Sequence, residues 1–477
     1  MSTYQLLWLR QDLRIFDHTA LHHAMAAGPT VAVVVLSPEQ WRLHHDATIK
    51  IDFYLRQLTQ LKQDLAALNV PLIILRVELW RDIARAFEQL IHQLDIAAMY
   101  AHREAGSNEI QRDTAVEDML SQQQINSHFF DDATLFPFTS IRNKSEQPYQ
   151  VFGAFKKQCY ARLSISLPQC YPRPEPQATF ILKLDKNLYD IPSLSTLGFS
   201  AISQTQQDLW PVGEDYALDL LDKFLADHVE DYDQARDYPH LNGTSQLSAY
   251  LNIGMLSIRA CIQALFREQY GDFDFSNQGQ QIWLDELLWR EFYLHILFDF
   301  PKVSKHLPFK EQTQKLAWRD APQDLNAWQQ GKTGIPIVDA GMRQMLATGW
   351  MHNRVRMIVA MFLSKNLLID WRLGEAWFMQ HLIDGNLAAN NGGWQWCAST
   401  GTDAVPYFRI FNPVSQSQKF DPQDEYLRKW LPELAHLDAK EIHDPYTKNP
   451  QRDLDYPRPI VDLKQSRLQA IAAFKAL

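Results

Sequence analysis

The stretch VAVVVLS at residues 31–37 decides the fold, because an apolar run rich in valine is typical of a strand buried on both faces of a parallel sheet. Similar runs occur at 6–10 (LLWLR), 71–77 (PLIILRV), 96–102 (IAAMYAH) and 125–130 (INSHFF). Segments with helical periodicity separate them, at 17–27, 48–68, 80–93 and 108–123. The alternation predicts a Rossmann-like, doubly wound parallel sheet over residues 1–131. No GxGxxG follows the first run, so the usual pyrophosphate grip on a dinucleotide is not expected in this domain.

The remaining sequence predicts a linker and a helical domain. Residues 132–209 are rich in Pro, Ser and Gln, which is typical of a long interdomain connection. Residues 210–477 contain amphipathic stretches, for example at 282–298 and 347–368. The predicted architecture is therefore an α/β domain followed by an all-α domain.

Composition excludes several classes of protein. Of the 477 residues, 46% are hydrophobic and 21% are charged, and no apolar run approaches the roughly 18 residues of a membrane span. The N-terminus lacks the pattern of a signal peptide, so we expect a cytoplasmic monomer. The four cysteines form no CxxC pair, and neither a disulfide framework nor a metal site is expected. A net charge of −10 argues against wrapping nucleic acid with the whole surface but leaves room for a local basic patch.

Two segments ahead of residue 300 suggest a ligand site. In GTSQLSAYL at 243–251, hydroxyl residues precede a helical run, so Thr244 and Ser245 could cap the helix or help its free N–H groups bind a diphosphate. Further on, Trp283, Glu286 and Arg290 have the spacing of one helix face, with Trp289 three residues beyond Glu286. This face is either an aromatic wall beside a carboxylate or an ordinary ion pair on a core helix.

Two later segments add to this pattern. In MHNRVRM at 351–357, Asn353, Arg356 and Met357 share a helix face that suits a flat, partly polar ligand, whereas Arg354 diverges and could meet a phosphate. A helix with one core face and one solvated basic face explains these residues equally well. NNGG at 390–393 either lets the backbone approach a planar ring or forms a simple turn. Nine of the 14 tryptophans lie between Trp283 and Trp396, which also fits an aromatic core.

Taken together, these motifs resemble those of class I cyclobutane pyrimidine dimer photolyases of the bacterial, folate-using type, over essentially the whole chain. The matching segments are QDLR at 11–14, TSQLS at 244–248, WLDELLWREF at 283–292, WMHNRVRM at 350–357, LLIDWR at 367–372 and NNGGWQW at 390–396. The resemblance implies light-driven repair of cyclobutane dimers in DNA by electron transfer from reduced FAD. It assigns to FAD the residues Tyr232, Thr244, Ser245, Gln246, Leu247, Ser248, Trp283, Asn353, Arg356, Asp384, Gly385, Asn386 and Asn390.

The resemblance also assigns residues to the DNA, the electron route and an antenna. The flipped dimer is expected against Glu286, Trp289, Asn353, Met357 and Trp396. Other DNA contacts are expected from Arg236, Arg290, Tyr293, Arg354 and Arg409. Electrons are expected to reach oxidised FAD through Trp318, Trp371 and Trp394. A 5,10-methenyltetrahydrofolate antenna is expected at His44, Asn108 and Glu109.

Departures from the family pattern and rival functions accompany this resemblance. Gln246 stands where relatives usually have Arg, and Asn386 where they usually have Asp, so a cation and a carboxylate near the cofactor are missing. The main alternative is a cryptochrome, a blue-light receptor on the same fold. Glu286, Trp289, Met357 and Trp396 favour repair, and Met357 stands where a (6-4) photolyase would be expected to have histidine. A flavin oxidoreductase is disfavoured because no nicotinamide fingerprint is present.

Overall fold

The structure is a computed structural model that describes residues 3–267 and 269–477. The chain divides into two compact units. The first unit runs to Val229 and resumes over Ser245–Pro301, and the second unit comprises Glu230–Thr244 and Lys302–Leu477. No helix in the described ranges has the length and apolar character needed to cross a membrane.

The elements follow the predicted alternation and then become helical. The strands are β1 (Tyr4–Leu9), β2 (Thr30–Leu36), β3 (Leu72–Arg76), β4 (Ile96–His102) and β5 (Asn126–Phe130). The helices up to residue 210 are α1 (Thr19–Ala27), α2 (Pro38–Leu43), α3 (Thr48–Ala67), α4 (Ile83–Ile91), α5 (Ser107–Gln122), α6 (Phe152–Leu163) and α7 (Gln204–Asp208). The later helices are α8 (Glu214–Asp227), α9 (Tyr232–Ala235), α10 (Ser248–Asn252), α11 (Ile258–Leu265), α12 (Gln278–Asp299), α13 (Pro322–Gln329), α14 (Pro336–Thr348), α15 (Asn353–Met361), α16 (Trp371–His381), α17 (Leu387–Ala398), α18 (Pro413–Phe420), α19 (Glu425–Trp430) and α20 (Leu463–Lys475).

The first unit is built on a five-stranded parallel sheet with the order β3-β2-β1-β4-β5. In this sheet Leu6 pairs with Val31 on one side and with Met99 on the other. The indole of Trp8 is buried and meets Phe87 of α4 edge-on at 5.0 Å. Every predicted strand forms, and the predicted doubly wound fold is confirmed.

A buried ionic network joins the carboxyl edge of this sheet to the helices of the same unit. Arg14, in the loop after β1, lies 2.6 Å from the Oδ2 atom of Asp132, which follows β5. Arg259 of α11 pairs with Asp17 at 2.8 Å and also with Asp132. Although burial opposes it, His102, Arg14 and Arg259 hold the pKa of Asp132 well below its usual range. The QDLR motif at 11–14 therefore has a structural role in this unit.

The segment predicted to be a linker contains helix α6, which its composition did not predict. Helix α6 packs on α12, where Lys156 and Tyr160 both bond to the carboxylate of Asp285 at 2.9 and 2.8 Å. The ring of Phe155 in α6 meets that of Phe292 in α12 at 5.4 Å. Because these contacts come from distant sequence, the Pro- and Ser-rich surroundings of α6 gave no sign of them.

In the second unit, the periodicity of residues 347–368 predicted one continuous helix, but the structure divides this stretch. Helix α14 ends at Thr348 and is followed by Gly349, whose φ of +72° is a left-handed conformation that favours glycine. Helix α15 then begins at Asn353, and one π-helical turn follows at Phe362–Asn366. The break gives the MHNRVRM segment a helix N-terminus of its own, at which the ring of His352 accepts the N–H of Arg354.

Lys365 lies in this π-helical turn and is fully buried. Its ammonium donates to the hydroxyl of Ser399 at 2.8 Å and lies 3.8 Å from the ring centre of Phe474. Burial is the main reason that the pKa of Lys365 falls to about 7. Because the unfolded chain has the ordinary, higher lysine pKa, protonation favours unfolding, and Lys365 costs stability at neutral pH.

We expect Lys365→Met to raise the free energy of unfolding at pH 7 by about 1–3 kcal/mol, since it removes a buried charge and keeps most of the volume. The gain should shrink toward pH 10, where the lysine of the parent chain is neutral when folded. Chemical denaturation at pH 6, 7, 8, 9 and 10 measures this. A destabilised variant at pH 7, or a pH-independent difference, would contradict the account.

Candidate active site

Helix α12 of the first unit carries five of the predicted residues, namely Trp283, Glu286, Trp289, Arg290 and Tyr293. Asn277 caps its first turn by accepting the N–H of Gln280 at 2.9 Å. Trp283 is buried against Phe224, with ring centres 5.3 Å apart. Glu286 and Trp289 are both only partly buried. Trp289 and Glu286 are therefore partly accessible on one helix, whereas Trp283 belongs to the buried core.

Two charged residues that follow Trp289 form hydrogen bonds with backbone groups of the same unit. The guanidinium of Arg290 donates to the carbonyl oxygen of Ala133 at 2.8 Å, and burial lowers the pKa of Arg290. The buried carboxylate of Glu291 accepts the N–H groups of Leu135 and Phe136 at 2.8 and 2.9 Å. These contacts fasten α12 to the segment that follows β5, so Arg290 has a structural role that the sequence did not reveal.

In the segment at 243–251, which was predicted to bind a diphosphate, the helix begins later than expected. Helix α10 begins only at Ser248, with Leu247 in the N-cap position and no side-chain cap. The prediction that Thr244 or Ser245 caps this helix is therefore wrong, because the chain turns at Gln246 first, with a φ of +52°. Gln246 and Ser248 are exposed in this turn, while Leu247 is buried.

The three predicted antenna residues all belong to the first unit. The Nδ2 atom of Asn108 is 3.0 Å from the Nε2 atom of His44, whose ring meets Trp80 edge-on at 4.7 Å. The carboxylate of Glu109 folds back over Gly106, so that a Cβ atom on Gly106 would fall 1.9 Å from it. Burial, helped by Glu104, raises the pKa of Glu109 to about 7. This group can therefore donate as well as accept a hydrogen bond near neutral pH.

In the second unit, the two arginines of α15 diverge as predicted. Arg356 forms an ion pair with Asp384 at 2.9 Å. Arg354 binds both oxygens of Asp237 at 2.7 Å, and its guanidinium lies 4.5 Å from the ring centre of Phe420. Arg236 lies 3.9 Å from the same Asp237 carboxylate. Two of the predicted phosphate-binding arginines thus share one acidic partner.

Four more of the predicted residues belong to the second unit and differ in their exposure. Tyr232 is buried at the start of α9 under the guanidinium of Arg236, which is 5.5 Å from its ring centre. Asn353 is exposed in the first turn of α15, and Met357 is partly buried one turn later. Arg409 lies in an exposed turn in which its N–H donates to Pro406.

The three predicted electron-transfer tryptophans lie in or against one hydrophobic cluster of the second unit. Trp371 and Trp394 are buried in its core, and Trp318 packs against the core while partly exposed. The ring of Trp394 lies on the backbone of α16, because a Cβ atom on Gly374 would come within 2.1 Å of it. A glycine at this position is what allows the close approach of Trp394 to the helix that begins at Trp371.

The asparagines of α17 are held by the helix that carries Trp371. The side chain of Asn390 donates to the backbone oxygen of Glu375 at 3.0 Å, and Asn391 donates to its buried carboxylate at 2.9 Å. His306 lies 2.9 Å from the other carboxylate oxygen, and this hydrogen bond raises the pKa of His306. Asn386 caps α17 by accepting the N–H of Ala389 at 3.2 Å.

The glycine pair and its surroundings suit a planar ligand. A Cβ atom on Gly393 would meet no atom within 4 Å, so this face of α17 is open. Gly385 is buried in the turn between α16 and α17, next to Asp384 and Asn386. Trp396, one turn beyond the pair, is partly buried and packs against the same hydrophobic cluster as Trp394. These features fit a flat, partly polar ring such as a flavin.

One group in the described part of the chain has the composition of a metal site, namely Asp12, His18 and His102 in the first unit. The N–H of Leu21 donates to Nδ1 of His18, and the N–H of Ala20 donates to Nε2 of His102. The other ring nitrogens, Nε2 of His18 and Nδ1 of His102, lie 3.4 and 2.8 Å from Oδ2 of Asp12. The group is buried beside the ionic network of this unit, because Nε2 of His102 also lies 3.1 Å from Oδ2 of Asp132.

Sequence reasoning missed three residues beside the predicted ones. Gly374 is a helix-interior glycine, which is a signal for a close contact that could have been noticed. Glu375 gave no signal because its partners Asn390, Asn391 and His306 are distant in sequence. Phe152, whose ring stacks on Trp289, lies in the segment predicted to be a linker.

Comparison with known proteins agrees with this geometry. The family described as "DNA photolyase" matches residues 5–177, and the family described as "FAD binding domain of DNA photolyase" matches residues 283–476. The chain is 44% identical to the deoxyribodipyrimidine photo-lyase of Vibrio cholerae, over 99% of each chain.

Two solved structures share the fold over the full length. A bacterial class III photolyase from Agrobacterium tumefaciens is 33% identical, with a TM-score of 0.85 over 100% of this chain and 98% of that chain. A cryptochrome from Synechocystis sp. PCC6803 is 28% identical, with a TM-score of 0.87 over 99% of each chain. The identity, the coverage and the matched families agree with the motif assignments, and the chain belongs to the DNA photolyase family.

Proposed function

We propose that the chain repairs cyclobutane pyrimidine dimers in DNA with light, using FAD as its cofactor. The observation that carries this proposal is the full-length similarity to a deoxyribodipyrimidine photo-lyase, at 44% identity. A cryptochrome shares the fold, so the fold by itself does not separate repair from signalling. The accessible Trp289 and Glu286 on one helix favour repair, because they provide a stacking surface beside a hydrogen-bonding carboxylate.

FAD, when bound and reduced, supplies the light-driven electron that splits the cyclobutane ring and is afterwards returned. We assign to its binding Tyr232, Thr244, Ser245, Gln246, Leu247, Ser248, Trp283, Asn353, Arg356, Asp384, Gly385, Asn386 and Asn390. Support comes from the open face at Gly393 and from the fixing of Asn390 by Glu375. The Arg356–Asp384 ion pair fixes two further polar groups in the same unit.

For the DNA, the proposal gives the residues distinct tasks. Trp289 and Trp396 stack on the flipped dimer, Glu286 bonds to its base edges, and Asn353 and Met357 complete the pocket. Arg236, Arg290, Tyr293, Arg354 and Arg409 contact the DNA strand. A damaged, poorly stacked pair costs less to flip out than a normal pair, and this difference contributes to selectivity.

We propose that three tryptophans of the second unit supply electrons to oxidised FAD. Trp394, Trp371 and Trp318 pass electrons inward to oxidised FAD. Trp394 and Trp371 are buried and Trp318 is partly exposed, so the series runs from the interior toward solvent. Gly374 keeps Trp394 against the helix that begins at Trp371.

We further propose a 5,10-methenyltetrahydrofolate antenna at His44, Asn108 and Glu109 of the first unit, supported by the 3.0 Å approach of the Asn108 amide to the His44 ring. We also propose a cytoplasmic monomer. The functional domains are assigned as residues 1–131 for the antenna, 132–209 for the linker and 210–477 for catalysis.

We expect Glu286→Ala to weaken binding of a dimer-containing oligonucleotide by about tenfold or more while FAD stays bound, because a hydrogen bond to a charged acceptor is lost. Glu286→Gln should recover part of the loss. Dark titration followed by repair under blue light measures both effects, and Glu425→Ala, an exposed residue of α19, is the matched control. Unchanged binding and repair in Glu286→Ala would contradict the pocket assignment.

We expect Trp394→Phe to block photoreduction of oxidised FAD but to leave repair by chemically reduced enzyme nearly intact. Gly374→Ala should slow photoreduction as well, because the added methyl forces the Trp394 ring away from α16. Gly153→Ala, where the methyl meets no atom within 4 Å, is the control. Absorbance of the flavin under illumination with an external reductant follows the rate. Normal photoreduction in Trp394→Phe would rule out this route.

We expect Asp237→Asn to tighten binding to undamaged DNA by about twofold to fivefold at low salt, since it removes the carboxylate that neutralises Arg354. The slope of log affinity against log salt should become steeper by up to about 0.9, the value for one additional phosphate contact. The exposed Asp320→Asn is the control for a simple change in net charge. Equal gains in both variants, or no gain in Asp237→Asn, would count against Arg354 as a phosphate contact.

A further inference from the structure

The indole of Trp289 is already stacked on another ring within the first unit. Its centre lies 3.7 Å from that of Phe152, with an angle of 13° between the planes. Phe292 meets the same indole edge-on at 5.8 Å, and Tyr293 lies 5.6 Å away at 30°. Three neighbouring rings therefore fix the plane of Trp289, which is still partly exposed.

Phe152 is held in place by the packing of α6 on α12. It is the first residue of α6 and is itself buried, with its ring edge-on to Phe292 at 5.9 Å. One turn later, Lys156 pairs with Asp285 at 2.9 Å. Two turns later, the hydroxyl of Tyr160 donates to the same carboxylate at 2.8 Å. Because these contacts anchor α6 to α12, Phe152 cannot leave the indole without disturbing the helix pair.

We propose that Phe152 is a positioning residue for the DNA lesion. It covers one face of Trp289 and thereby presents only the opposite face and the free edge to a flipped pyrimidine. The inference rests on the proposed function, in which Trp289 stacks on the dimer. Phe152 lies in the segment predicted to be a linker, so this segment would help to select damaged DNA.

The physical advantage is preorganisation. An unsupported indole samples several rotamers, and holding one of them upon binding reduces affinity. The nearly parallel contact with the buried Phe152 ring fixes the rotamer before the DNA arrives, because it removes one face of the indole from water. Loss of this stack should lower the affinity for the lesion more than the affinity for undamaged DNA, which makes no use of the indole face.

The test measures the preference for damage in the dark, using full-length protein with FAD bound and an oligothymidine that contains or lacks one cyclobutane dimer. We expect Phe152→Leu to reduce the ratio of the two affinities about threefold to tenfold. Phe152→Tyr, which keeps the ring, should retain the parent ratio. Phe155→Leu is the matched control, because Phe155 lies on the same helix but contacts Phe292 and His295.

A double-variant cycle separates positioning from general destabilisation. If Phe152 acts through Trp289, Phe152→Leu should reduce the ratio little further once Trp289→Ala is present. Additive losses, or a parent-like ratio in Phe152→Leu, would overturn the inference while leaving the proposed function intact. A parent-like ratio in Trp289→Ala would instead overturn the proposed pocket itself.

Discussion

The buried ion pairs of Arg14 and Arg259 with Asp17 and Asp132 are the constraint on which the first unit depends. They join the loop after β1 and the end of β5 to helix α11. In most open α/β sheets the carboxyl edge of the strands binds the ligand, but much of this edge is taken up by internal partners. Removal of Asp132 would take away the ion-pair partner of the buried Arg14, at a cost of about 3–5 kcal/mol. The network helps to join the sheet to α11, and α12 of the same unit presents Trp289.

In the second unit, one helix combines three tasks within five residues. Helix α16 begins at Trp371, accommodates the ring of Trp394 at Gly374, and holds Asn390 and Asn391 through Glu375. A single rigid element therefore sets the position of two tryptophans and of the asparagine assigned to the flavin. The helix-interior glycine costs about 1 kcal/mol of helix stability, which is offset by the close packing it permits. The proposed electron route and the asparagine proposed for the flavin are thus held by the same helix.

The sequence predicted what depends on local periodicity and missed what depends on distant partners. The run at 31–37 and its four companions predicted the sheet because buried parallel strands need continuous apolar residues. Spacing also predicted the divergence of Arg354 and Arg356. The pairing of Arg354 with Asp237 and the stack of Phe152 on Trp289 could not be predicted, because more than 100 residues separate the partners in each case. Helix α6 was missed for the same reason, since its packing on α12 is a long-range contact.

The central claim is that this chain uses light to reverse pyrimidine dimers, and a light-against-dark comparison tests it most directly. Purified protein with FAD bound and chemically reduced is mixed with an oligothymidine that contains cyclobutane dimers. Thymine absorbance is then followed under near-ultraviolet or blue light and in darkness. The account predicts recovery of absorbance in the light and none in the dark. No recovery in the light, with reduced FAD present and DNA bound, would contradict it.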